Sequence, residues 1–376
     1  MYQRLLPRTF EASLRDLEHP KVAVRVAAAH DLGRHVEAHR EDVVAALCRA
    51  LADDPADPVR AAAALVLGEV DATEALEALL GAVEDESVQV QEMALCAVGE
   101  LVSPTDAADG GRALGDGPLE QRVLAVVREA LGHERAALRF QAVMAYARLC
   151  PTRSEAVRAL CAAAGDDDER VAHIALRMAE ELGGVDGAAV PPELAARAAE
   201  LVDHPSPRVQ IAAAIVAARA GRDEGDAVLV RVANRQLATP EAEDEAAAVE
   251  LCGELALAEA AAGLERRAFG WRRDPLAWHA RVALTVMRHP RAVASVMREL
   301  GSVGFARRTL AVATAGRAGL EEARPLIEAM RGRPRRADPG AVEQALRMLD
   351  EARAEREALA ADDDVSARAA RAGGPS

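Results

Sequence analysis

Three stretches of the 376-residue chain carry side chains of the kind that ligate metals or move protons. His30, His35 and His39 are the first. Metal-binding histidines on a helix favour an i, i+4 pair. These three are offset differently, and Gly33 is expected to end the helix between them, so they read as surface histidines. The second is His133-Glu134, the only His-Glu dipeptide, at an expected turn between helices. The third is the acidic run Asp166-Asp167-Asp168-Glu169. It lacks calcium-loop spacing and reads as the start of a helix, where carboxylates complement the dipole. No nucleophile elbow, Walker A loop or dinucleotide fingerprint occurs. Cys48, Cys96, Cys150, Cys161 and Cys252 form no C-x-x-C pair, and their odd number suits a reducing compartment. The expectation is a non-catalytic chain with no cofactor and no metal.

Charge is less generic. The net charge is −15, yet residues 265–336 hold 16 arginines against 6 acids. Trp271 and Trp278, the two tryptophans, fall in this basic stretch with Arg272, Arg273, Arg281, Arg307 and Arg308. Arginine beside aromatics can grip a phosphate backbone and stack on bases. Arg331-Gly332-Arg333-Pro334 also matches the core of a minor-groove hook. An interhelical turn explains those four residues equally well. The acidic remainder of the chain opposes nucleic acid at long range. The stretch can therefore face an acidic protein, nucleic acid or the chain's own acidic part.

These residues need a scaffold, and the sequence supplies one. The chain is 51% hydrophobic but 2% aromatic, so alanine and leucine must build its core. Asp57 to Glu84 is the unit: Val59, Ala62, Ala63, Val66 and Leu67 make one helical stripe, and Ala75, Leu76, Leu79, Leu80 and Val83 a second. Neither stripe can be buried without a similar neighbour. The signature V-R-x-x-A-A-x-x-L-G recurs from Val24, Val59 and Val90, then more loosely from Leu138, Val171 and Val209. It degrades from Asp244 and His279 and recovers from Arg307. Gly33, Gly68 and Gly99 are spaced by 35 and 31 residues, a period that with two helices per repeat gives an all-α solenoid. Ser103–Pro118, rich in Gly, Asp and Pro, reads as an inserted loop. The array is expected over residues 1–360, in about nine helix pairs, with a disordered tail over 361–376.

These motifs resemble HEAT repeats, in particular the short HEAT-like repeats named after phycobilisome lyases, over about Phe10 to Met330. The resemblance implies an armadillo-like α-solenoid. It leaves function open, because similar repeats occur in scaffolds, lyase subunits, an iron hydroxylase and DNA-binding glycosylases. The hydroxylase of this type needs several His-Glu dipeptides on facing repeats, which the single His133-Glu134 does not supply. The signature arginines (Arg25, Arg60, Arg139) are expected to be architectural, reaching an acid or a carbonyl in the adjoining repeat. The resemblance places the positions that follow them on the inner surface: Phe140, Gln141 and Met144; His173 and Arg177; Ile211 and Ile215; Glu250; Arg281 and Thr285.

The resulting expectation is a cytoplasmic, non-catalytic protein-interaction scaffold. It would hold a protein or peptide in a groove made by successive signature helices, with Trp271, Trp278 and the arginines as a foothold. The first alternative is a nucleic-acid-binding or DNA-repair protein using residues 265–336. The second is a lyase-type or regulatory enzyme subunit. No signal peptide or membrane span is legible.

Overall fold

The computed structural model describes residues 8–102, 117–150, 152–184 and 189–372. Among these residues it is entirely helical, with no strand. Two compact units divide at Glu200 and Leu201. The first contains α1 (Phe10–Asp16), α2 (Val22–Gly33), α3 (Val36–Asp53), α4 (Asp57–Glu69), α5 (Leu76–Ala82), α6 (Val88–Val102), α7 (Pro118–Ala130), α8 (Ala136–Leu149), α9 (Arg153–Ala163), α10 (Glu169–Gly184) and most of α11 (Pro192–Leu201). The second contains α12 (Pro207–Arg219), α13 (Asp226–Ala233), α14 (Ala242–Glu254), α15 (Ala261–Phe269), α16 (Ala277–Val286), α17 (Pro290–Leu300), α18 (Phe305–Arg317), α19 (Arg324–Glu328) and α20 (Pro339–Ala372).

The signature segments form one layer of each unit. In the first, α2 packs on α4, α4 on α6, α6 on α8 and α8 on α10. In the second, α12, α14, α16, α18 and α20 follow one another in the same way. The intervening helices form the other layer and close the core from behind. This is the expected α-solenoid arrangement within each unit, and it explains the alanine content. Ala61, Ala62, Ala63 and Ala64 of α4 are all buried, because a helix with neighbours on several sides has room only for small side chains.

Gly33 was expected to end its helix, and α2 does end there; α4, α14 and α18 run one residue beyond Gly68, Gly253 and Gly316. A Cβ at Gly253 would lie 2.5 Å from the Ala283 Cα, and one at Gly316 would lie 2.6 Å from the Ala345 Cα. The glycine therefore lets the next signature helix come close. Termination falls to a residue three positions later in left-handed backbone: Asp71 (φ 53°), Ala256 (φ 52°) and Gly319 (φ 56°). The following amide then turns back to a helix carbonyl, as in Ala72 N–H to Leu67 O at 3.0 Å and Leu257 N–H to Cys252 O at 3.0 Å, the pattern of a Schellman stop.

Two boundaries differ from expectation. Helix α20 runs to Ala372, past residue 361 where a disordered tail was expected. Alanine and arginine, which make up most of residues 361–372, are good helix formers, although Asp362, Asp363 and Asp364 are poor ones, so low apolar content does not stop the backbone hydrogen bonding. The inserted loop lies outside the described residues through 116, and Pro118 already opens α7.

Candidate functional site

The signature arginines serve the stack. In the turn before α4, the Asp54 carboxylate accepts from Arg25 Nε and Nη2 at 2.7 and 2.8 Å. Its carbonyl accepts from Arg60 at 3.0 Å. Arg60 then reaches forward to both oxygens of Asp85 at 2.8 Å, and Arg139 grips Asp166 in the same way at 2.7 Å. Each arginine thus ties its own entry turn to the entry turn of the next repeat. The Arg60 guanidinium holds the Asp85 carboxyl below the usual carboxylate range. Gln91 keeps the backward bond, to Asp85 O at 2.7 Å, but makes no forward pair among the described residues. The next turn carries His133, whose Nδ1 accepts from the Arg135 amide at 3.1 Å. An imidazole, with at most one acceptor nitrogen, cannot take a bidentate guanidinium, so Gln91 and His133 fit together. His133-Glu134 is a turn pair, as expected.

The outward face of the signature layer is where a partner could lie. In the first unit Phe140, Gln141 and Met144 on α8, with His173 and Arg177 on α10, are all half-buried. Arg177 is paired with Glu180 at 2.8 Å. In the second unit Ile211 and Ile215 are core residues, at 0% and 1% exposure. Thr285 is also fully buried, its hydroxyl donating to Arg281 O at 2.7 Å. Their register places these three between layers, which corrects the expectation of an inner surface.

One constellation stands out on this face in the second unit. Trp278 opens α16, and its indole N–H donates to Thr314 Oγ1 on α18 at 3.2 Å. The Arg317 guanidinium lies 5.8 Å from the Trp278 ring centroid and donates to the buried Glu250 carboxylate on α14. The same carboxylate bonds His279 Nδ1 at 2.6 Å. Glu250 thus has a cation or imidazole on each oxygen, as a buried carboxylate requires. Against this locked corner opens a cavity of about 150 Å3, lined by Trp278, Ala313 and Arg317 and by Ala341, Gln344, Ala345 and Met348 of α20. It has an aromatic wall, a flexible thioether and a polar rim, and its volume suits one apolar side chain.

The basic stretch does not behave as one surface. Arg308 is buried, donating to Arg336 O and Ser302 O. Arg281 pairs with Glu299 at 3.0 Å. Arg267, also buried, donates to Val232 O at 2.7 Å and Ala233 O at 3.0 Å. These are structural arginines, so Arg281 and Arg308 are withdrawn as direct contacts for a partner. Trp271 is 88% exposed on the α15–α16 turn, with the Arg272 guanidinium 4.8 Å from its ring centroid. Arg273 and Arg307 are exposed. Trp271 and Trp278 therefore occupy different environments despite their nearness in sequence.

Among the described residues no group of three His, Cys, Asp or Glu is placed to hold a metal ion. Phe10 stacks on His39 with centroids 4.0 Å apart, and His35 Nε2 meets Arg8 O at 3.0 Å, so these rings pack the N-terminal end. Burial pushes the Cys252 thiol up to about 12 and raises Cys48, Cys96 and Cys161 as well. Such thiols are poor nucleophiles. No helix among the described residues is long and apolar enough to cross a membrane.

Comparison with known proteins agrees with the helix-pair architecture. Residues 11–99 match the HEAT repeat family. No curated protein matches the chain. Among solved structures, Escherichia coli YibA is similar at 13% identity, over 89% of this chain and 99% of that one, with a TM-score of 0.39. An engineered protein gives 14% identity, 91% and 98% coverage and a TM-score of 0.42. The complex of CpcE and CpcF of phycocyanin lyase from Nostoc sp. PCC7120 gives 19%, 75%, 89% and 0.34. At these scores the likeness carries no inference about partner or activity.

Proposed function

We propose that this chain, with HEAT repeats at its N-terminal end, is a non-catalytic cytoplasmic scaffold that holds a protein partner against its signature layer. The observation that carries the reading is the cavity beside Trp278. It is walled by α16, α18 and α20 together, so it depends on the stack rather than on one helix. The Glu250–Arg317–His279 network fixes its floor. A partner peptide would seat an apolar side chain against Trp278 and Met348, with Gln344 and the outer side of Arg317 available to its backbone. A preformed slot flanked by donors and acceptors is a common way to read an extended or helical segment.

The test is affinity capture from native lysate with and without nuclease, using the natural chain and Ala341→Phe, which fills the slot from its wall. The reading expects a defined protein that survives nuclease and is lost with Ala341→Phe. Capture unchanged by Ala341→Phe would sink it. A second reading, nucleic-acid binding, draws support from Arg272 stacked on the exposed Trp271. It expects recovery to collapse on nuclease treatment and binding to weaken steeply with salt.

A further inference from the structure

A second surface of the C-terminal unit, separate from the Trp278 slot, lies where two entry turns are fastened together. Arg308 is the fastener: it donates to Ser302 O in the turn before α18 and to Arg336 O in the turn before α20. The Asp338 amide also donates to Thr309 Oγ1 at 3.1 Å. These bonds hold the turns side by side, so their exposed residues form one fixed patch. Val303 is 98% exposed and Phe305 47% exposed. Arg307, Arg333, Arg335 and Arg336 are exposed as well. None of these four makes an ion pair among the described residues, whereas neighbouring Arg331 is paired with Glu343 at 2.8 Å.

The first turn of α18 adds a directional feature. Its N-cap is Gly304, and no side chain caps it. In α20 the Asp338 carboxylate takes the Ala341 amide at 2.9 Å. The amides of Phe305, Ala306 and Arg307 therefore lack the carboxylate that their counterparts in α20 possess. Free first-turn amides, the positive end of the helix and four unpaired guanidiniums favour carboxylate on the approaching molecule. Val303 and Phe305 require something else, since an aliphatic side chain open to water gains only by apolar burial.

We propose that this patch docks an acidic, amphipathic protein segment, one that alternates carboxylates with apolar side chains. Charge complementarity selects the carboxylates, and Val303 and Phe305 select the apolar residues between them. A nucleic-acid backbone would satisfy the arginines but leave Val303 unpaired. It would also meet the field of a chain whose net charge is −15, which a short segment meets only locally.

The test uses fluorescence polarisation on the full chain with three labelled probes of twelve units: alternating Glu-Leu-Glu-Phe, poly-Glu, and single-stranded DNA. The proposal expects the alternating peptide to bind at least tenfold tighter than poly-Glu and tighter than DNA. Arg307→Glu with Arg335→Glu and Arg336→Glu, and separately Val303→Ser with Phe305→Ser, should each weaken it at least tenfold. All five residues are exposed, so both variants are expected to fold, with circular dichroism as the check. Ala341→Phe should leave this binding unchanged, which separates it from the Trp278 slot. No binding of the alternating peptide, parity with poly-Glu, preference for DNA, or variants that bind like the natural chain would each overturn it. Self-association abolished by the charge variant would assign the patch to a second copy and overturn it too.

Discussion

The arginine ladder makes a quantitative claim about where the stack is held. Asp85→Ala removes the two carboxylate oxygens that the Arg60 guanidinium grips and one acceptor of the Ser87 amide. Arg60 is left with the Asp54 carbonyl at 3.0 Å and the Glu86 carboxylate at 3.5 Å, on a side chain 8% exposed. Breaking a buried ion pair from one side costs about 3–5 kcal/mol, because the remaining charge is stranded. Glu86, 88% exposed, still pairs with Arg60 at 3.5 Å and partly matches its charge, so the low end, about 3 kcal/mol, applies. The comparison is Glu74→Ala, which removes an ion pair exposed at both ends, 44% at Arg40 and 45% at Glu74. Such pairs are worth about 0–1 kcal/mol. Hydrogen exchange of the α4 and α6 amides reads these costs locally, without requiring the whole array to unfold in one step. Exchange should rise about 100-fold in Asp85→Ala and less than about 5-fold in Glu74→Ala. Arg60→Met added to Asp85→Ala should recover much of the loss, since apolar replacement of both partners relieves the stranded charge. Equal exchange in Asp85→Ala and Glu74→Ala would refute the reasoning.

Further outcomes test the packing and the titrating groups. Gly253→Ala drives a Cβ into the Ala283 backbone and should destabilise the C-terminal unit by about 1–3 kcal/mol. Gly81→Ala, with nothing within 4 Å, should stabilise α5 by about 0.5–1 kcal/mol, both read by thermal unfolding. Ala256→Gly relieves left-handed backbone and should stabilise by about 0.5–1 kcal/mol in the same assay. Asp54, Asp85 and Asp166 titrate below their unfolded values, and Asp168 at about 2. Their contribution is therefore complete above the unfolded carboxylate range and lost as pH falls through the depressed values. Unfolding temperature should be flat from neutral pH to about 5 and fall steeply below about 4. Cys252, raised to about 12 and buried, should resist alkylation by iodoacetamide at pH 8 until the chain is unfolded.

The helix pairs and the arginine role were legible because both are local and repeated. A stripe such as Val59, Ala62, Ala63, Val66 and Leu67 fixes a helix, and Arg25, Arg60 and Arg139 each stand 6 residues after the turn carbonyl they bind. The glycine's place at or near the helix end was legible, but its packing role was not, because a helix stop and a close approach both favour glycine. Only the contact of Gly253 with Ala283 separates them. The Trp278 slot was half legible. Trp278 and Glu250 could be singled out, but Arg317 meets Glu250 across 67 residues. Aligned on the repeat, Glu250 stands where Leu65 and Cys96 stand, but also where His30 and Arg177 stand, so its position alone did not mark it. Arg281 and Arg308 were misassigned because composition reports charge, while burial and pairing decide whether a guanidinium is free.

The central claim, that a protein partner lies against the signature layer of the C-terminal unit, is tested most directly by site-specific photo-crosslinking. A benzophenone amino acid at Gln344, on the rim of the slot, is compared with one at Ala294, exposed on α17 in the other layer. The account predicts a discrete protein crosslink from position 344 that is insensitive to nuclease, and none from position 294. Equal crosslinking from both positions, or a crosslink at 344 that nuclease removes, would contradict it.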